Sequence, residues 1–166
     1  MTEDDPTPPV VTSSPSGEDR LWVSEWYRIS PQTFEHFELF FEADAVYAVF
    51  AEESFKSLLL RRDGRTREAR EVGRRNRSAP SEQLLADERS FVVPTSALTA
   101  VRISPGSLFA KPTLTVETAS SSHTLYHSSR DYDVDALRRS LANLYDDTTV
   151  DVAVESREWL DLFRSG

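Results

Sequence analysis

The chain has 166 residues, no cysteine and a formal net charge of −9. That length fits one domain with short appendages and allows an apolar core without cross-links. The missing thiols exclude disulfides, thiolate zinc sites and cysteine nucleophiles. Of the 19 basic residues all but Lys56 and Lys111 are arginine. An acidic, arginine-rich chain poor in lysine suits a salt-rich cytoplasm, where surface carboxylates hold water and cations. Codon bias in a GC-rich genome leaves the same mark.

Residues 1–19 carry four of the nine prolines and almost no large apolar side chain. Such a segment buries too little to offset its ordering entropy, and it is expected to be disordered. It lacks the basic and apolar regions of a signal peptide. RLWVSEWYRIS (20–30) is aromatic and β-branched and predicts a strand. HFELFFEADAVYAVFAEE (36–53) predicts two strands around Ala43-Asp44. In the first, Phe37, Leu39 and Phe41 share one face, and Glu38, Phe40 and Glu42 the other. The second is apolar on both faces, as a central strand is.

Helical signals begin at Glu52-Glu53-Ser54, where carboxylates suit a helix start, and Phe55, Leu58 and Leu59 keep helical spacing. Gly64 and Gly73 are expected to interrupt the helix that follows. Ser78 or Ser81 caps a short helix over 83–87. Strands resume at 90–94, after a turn within 95–104, and at 111–119 and 121–128, with turn chemistry at Pro105-Gly106 and Ser120–Ser122. Asp131 or Asp133 caps a helix over 134–145, whose Val134, Leu137, Leu141 and Leu144 form one stripe. Beyond it, 149–154 reads as a strand and 156–163 as an amphipathic helix carrying Trp159, Leu160 and Phe163.

About seven short strands closed by one helix predict an α+β fold, either a small barrel or two packed antiparallel sheets. The stretch SEQLLADERSFVVPTSALTAVRISPGSLFAKPTLTVETASSSHTLYHS (81–128) resembles the second half of prokaryotic and archaeal pleckstrin-homology-like (PH-like) domain proteins. It shows the short LLA-acidic helix, the strand ending in Val-Pro, and the hairpin entered through Pro-Gly and Lys-Pro. The resemblance implies a PH-like domain over 20–147, an insertion at 54–80 and a tail over 148–166. It implies binding of lipid headgroups, peptides or proteins, and seldom catalysis. The insertion is Arg-rich here, where related proteins carry glycine and apolar residues. The basic phosphoinositide pattern between the first two strands is replaced by Glu35, Glu38 and Glu42.

The insertion concentrates the positive charge. Residues 56–77 hold nine basic and three acidic residues, a net +6 against −15 for the rest of the chain. Arg61, Arg62, Arg65, Arg67, Arg70, Arg74, Arg75 and Arg77 are the candidate phosphate or partner contacts, because a guanidinium fork pairs two phosphate oxygens at once. Phe55, Leu58 and Leu59, with Trp159, Leu160 and Phe163, are candidate apolar contacts. The same charges can instead neutralise the acidic body, or lie solvated beside Asp63, Glu68 and Glu71. The insert is expected to project from the barrel.

His123 and His127 fall on one face of a strand but about 13 Å apart, too far to share a metal. No Gly-x-Ser-x-Gly elbow and no phosphate-binding glycine loop occurs. No cofactor or metal is expected. The sequence thus predicts a non-enzymatic, cytoplasmic binding or scaffold module. A protein partner or a second copy is the foremost ligand. An anionic membrane surface comes second and nucleic acid third.

Overall fold

The computed structural model describes residues 9–55 and 62–155, with side chains for 9–53 and 69–155. In chain order the elements are β1 (Val10–Ser13), β2 (Asp19–Ile29), β3 (Thr33–Glu42), β4 (Ala45–Phe55), α1 (Arg62–Asn76), α2 (Ser81–Leu84), β5 (Phe91–Pro94), β6 (Leu98–Ser104), β7 (Thr113–Thr118), β8 (Ser122–His127), α3 (Val134–Leu144) and β9 (Asp151–Val154). The α+β class expected from the pattern is present.

All these strands join one sheet in the order β5-β4-β3-β2-β8-β7-β6-β9, with β1 added beside β2. Two antiparallel meanders, β2–β5 and β6–β8, meet where Trp26 and Tyr27 pair with His127 and Tyr126. The path ends at β5 and β9, so the sheet is open. The closed barrel, and equally the pair of separate sheets, are corrected to one continuous sheet. The physical reason is β9, which lies parallel along the outer edge of β6 and occupies the hydrogen-bonding groups that closure needs.

Several local expectations change. Val10–Ser13 lie in the segment expected to be disordered, yet they pair with Asp19–Trp22. β8 reaches β2 only at Trp26 and Tyr27, which leaves an edge for the β-branched Val10 and Val11. β4 runs through Glu52–Ser54 to Phe55, where a helix start was expected, because β3 offers registered partners from His36 back to Thr33. α1 continues unbroken through Gly64 and Gly73. α2 starts at Ser81 behind Pro80 without a side-chain cap. The Ser81 hydroxyl turns instead to Glu42. At α3 the cap is Asp133, which accepts from the Ala136 N–H at 3.0 Å.

The strands β2, β3 and β4 bury both faces. Leu21, Val23, Trp26, Phe37, Leu39, Phe41, Val46 and Ala48 face the inner core with β6–β8 and α3. Trp22, Phe40, Ala45, Tyr47 and Val49 face the other way, beneath Val72 and Ala79 of the insert and Leu84 of α2. This explains why β4 is apolar on alternate and intervening positions alike. The helix stripe of Val134, Leu137 and Leu141 seals the inner core, as its spacing predicts.

Candidate functional site

The outer face of β2–β4 carries the most unusual chemistry of the molecule. It starts from a bulge in β2. The pairing with β3 shifts register between Val23 and Trp26, and Glu25 adopts φ 73°. A non-glycine residue in the left-handed region is strained, and it persists where its surroundings hold it. Here the Glu25 N–H donates to Glu38 Oε2 at 3.0 Å. Its carbonyl accepts from the Ser128 N–H at 3.1 Å. The extra residue sends Trp26 into the inner core while Trp22 and Ser24 stay on the outer face.

Three donors converge on Glu38. Trp22 Nε1 donates at 3.0 Å, the Ser24 hydroxyl at 2.6 Å, and the Glu25 N–H as above. The carboxyl is fully buried. Burial outweighs the donors and pushes its pKa up to about 8, with the neighbouring Glu25 charge adding to the rise. Burial thus favours the protonated carboxyl. α1 lies directly over it. A β-carbon on Gly73 would overlap Glu38 Oε1 and the Trp22 indole, so only glycine allows this approach.

Two ion pairs flank this centre. Arg70 of α1 binds Glu25 at 2.9 Å. Arg20 and Glu42 sit opposite each other in the β2–β3 register. Both are buried, and Arg20 Nε donates to Glu42 Oε1 at 2.7 Å. The Arg20 guanidinium also donates to the carbonyls of Asn76 at 3.1 Å and Ala79 at 2.6 Å, at the C-terminal end of α1. A cation there satisfies helix carbonyls left without partners and opposes the negative end of the helix dipole. The Thr12 hydroxyl donates to the Arg77 carbonyl at 3.0 Å, so β1 grips the same turn.

The candidate arginines are thus not gathered into a cradle among the described residues. Arg70 turns inward to Glu25. Arg74 pairs with Glu71 one turn away, and Arg75 donates to the Glu71 carbonyl. Arg77 contributes its carbonyl to Arg20 and Thr12. Arg62, Arg65 and Arg67 lie on the backbone of α1, and Phe55 ends β4 opposite Thr33. Arg61, Leu58, Leu59, Trp159, Leu160 and Phe163 fall outside the described residues. The described part of the insert, residues 69–80, packs as a layer on the sheet, and for that part the expectation of a projecting arm is corrected. Gly73 is the physical reason, because it brings the helix backbone onto the sheet.

The two strand histidines have separate surroundings. His123 stacks on Phe91 at 4.7 Å. His127 packs on Tyr132 at 4.0 Å and on Trp26 at 5.0 Å. Its Nδ1 accepts from the Ser129 N–H at 2.9 Å. Burial lowers its pKa to about 4, so the ring is neutral, with Nε2 3.7 Å from Glu25.

Sequence reasoning missed two features. Glu38 and Glu42 were placed only on the strand face opposite Phe37, Leu39 and Phe41, and their burial there was not foreseen. The available signal was the matching face of β2, where Arg20, Trp22 and Ser24 repeat with period 2 opposite Glu42, Phe40 and Glu38. The second is the apex between β6 and β7. Leu108 and Phe109 are 76% and 89% exposed. Ser107 and Ala110 exchange backbone hydrogen bonds around them, and Arg130 donates to the Leu108 carbonyl at 3.0 Å. A β-carbon on Gly106 would overlap the Arg130 carbonyl, so this loop too is close-packed at its base. Two large apolar residues inside a Pro-Gly to Lys-Pro turn were the signal.

Comparison with protein-family models, with curated proteins and with solved structures gives no match. No helix among the described residues is long and apolar enough to cross a membrane.

Proposed function

We propose that the chain is a non-enzymatic binding module of PH-like architecture that works by protein–protein contact. The strand order supports the architecture, with the first and last strands of the two meanders adjacent and a helix following. The buried polar groups under the insert are engaged with one another and with helix carbonyls, which suits a clasp better than a reaction centre.

The observation that carries the contact reading is the Leu108–Phe109 apex. A turn held by its own backbone bonds and by Arg130 presents two large apolar side chains to solvent, which suits an anchor for a partner's apolar pocket. A second reading is contact with an anionic membrane surface, favoured by the cations of Lys111 and Arg130 in the same loop region.

The test is site-specific photo-crosslinking in the cells that make the protein, with the reactive residue at position 109 or at position 75 in the insert. Discrete protein adducts from 109 and none from 75 are expected. Lipid adducts from 109 would favour the second reading. Adducts from 75 alone would return the contact to the insert and overturn the proposal.

A further inference from the structure

We propose that α1 is a detachable cover over the outer face of β2, β3 and β4, and that it lifts when Glu38 becomes charged. Over residues 69–76, the part of α1 whose side chains are described, apolar contact is slight. Of its described side chains Ala69 is buried and Val72 packs on the outer cluster. Polar and local contacts add to the hold of this described part: Arg70 on Glu25, Arg20 on the C-terminal carbonyls, and the close approach of Gly73. Such an element opens at lower free energy than the core beneath it.

Glu38 ties that opening to charge. With α1 in place its carboxyl has protein on every side, and burial disfavours a negative charge there more than its three donors favour it. With α1 lifted, water reaches it. Charged groups face it from each packed element. On β2, Glu25 stands beside it and repels a second negative charge. Arg70 of α1 balances Glu25 only while the helix is docked. On β8, neutral His127 lies beyond Glu25. On β4 its register partner is the uncharged Val49. The Arg20–Glu42 pair lies further along the same face and is already mutually satisfied.

The sign follows from the two protonation constants. The docked carboxyl keeps its proton up to about pH 8, against an ordinary value of 4.5. Docking is therefore complete below the ordinary value and weakens as pH rises toward 8. Across that window the opening equilibrium rises about tenfold per pH unit.

Native-state hydrogen exchange on the full chain tests this, with amides of residues 69–76 followed from pH 5 to 7.5 and corrected for intrinsic exchange. The wild type is expected to open α1 about tenfold more per pH unit, while α3 holds its protection. Glu38→Gln is expected to remove the slope. Gly73→Ala is expected to leave α1 unprotected at every pH with α3 still protected. A corrected α1 opening that does not change with pH overturns the proposal. So does an α3 that opens together with α1, and so does a protected α1 in Gly73→Ala. Should Glu38→Gln fail to fold, the wild-type series and Gly73→Ala decide alone.

Discussion

The two faces of β2–β4 solve burial in different ways. The inner face is aliphatic and aromatic at its centre, with Arg28 lying over Phe37 and Phe91, and it packs on β6–β8 and α3. The outer face mixes Trp22, Phe40 and Tyr47 with Arg20, Ser24, Glu38 and Glu42. On the inner face, size and shape are what matter, because apolar contact is non-directional. On the outer face every polar atom must find its partner, because a buried group left unpaired costs more than a satisfied one contributes. The outer face therefore specifies one docking position for α1, and it is the more fragile of the two.

Substitutions can break that comparison or sharpen it. Glu42→Ala leaves Arg20 buried with its carboxylate partner gone, and it should cost about 3–5 kcal/mol in urea unfolding. The double variant Arg20→Met/Glu42→Leu should recover most of that loss, since two apolar side chains replace two charges. On the inner face, Leu39→Ala should cost about 2–5 kcal/mol, and no second substitution at a polar partner should rescue it. Equal behaviour of the two faces in these variants would remove the distinction. The smallest effect belongs to the apex. Leu108→Ser/Phe109→Ser should move stability by less than about 0.5 kcal/mol, because both side chains already face solvent. Loss of crosslinks without loss of thermal stability would separate contact from folding.

How much of this was legible in the sequence follows the same division. Inner-face positions obey simple alternation, so Phe37, Leu39 and Phe41 were grouped on one face and Val134, Leu137 and Leu141 on one helix stripe. Seven of the strands were read with bounds close to those observed. β1 was not, because its Val10-Val11 pair sits among prolines and serines and is ordered only by the open edge of β2. The extension of β4 through Glu52–Ser54 was hidden for a similar reason, since long-range pairing with β3 overrode a local helix signal. Glu38 was illegible as a buried acid because its burial depends on a glycine more than 30 residues away that meets it face to face. Gly73 was read as a break in the helix. Its missing side chain is instead what lets the helix sit down.

The closest test of the clasp is a proton-to-proton measurement between Trp22 and Gly73. In a ¹⁵N- and ¹³C-labelled sample near pH 6, the Trp22 indole N–H should show strong nuclear Overhauser contacts to the Gly73 α-protons and exchange slowly with water. An indole proton that exchanges fast and shows no contact to Gly73 would contradict the docked insert on which this reading of the fold depends.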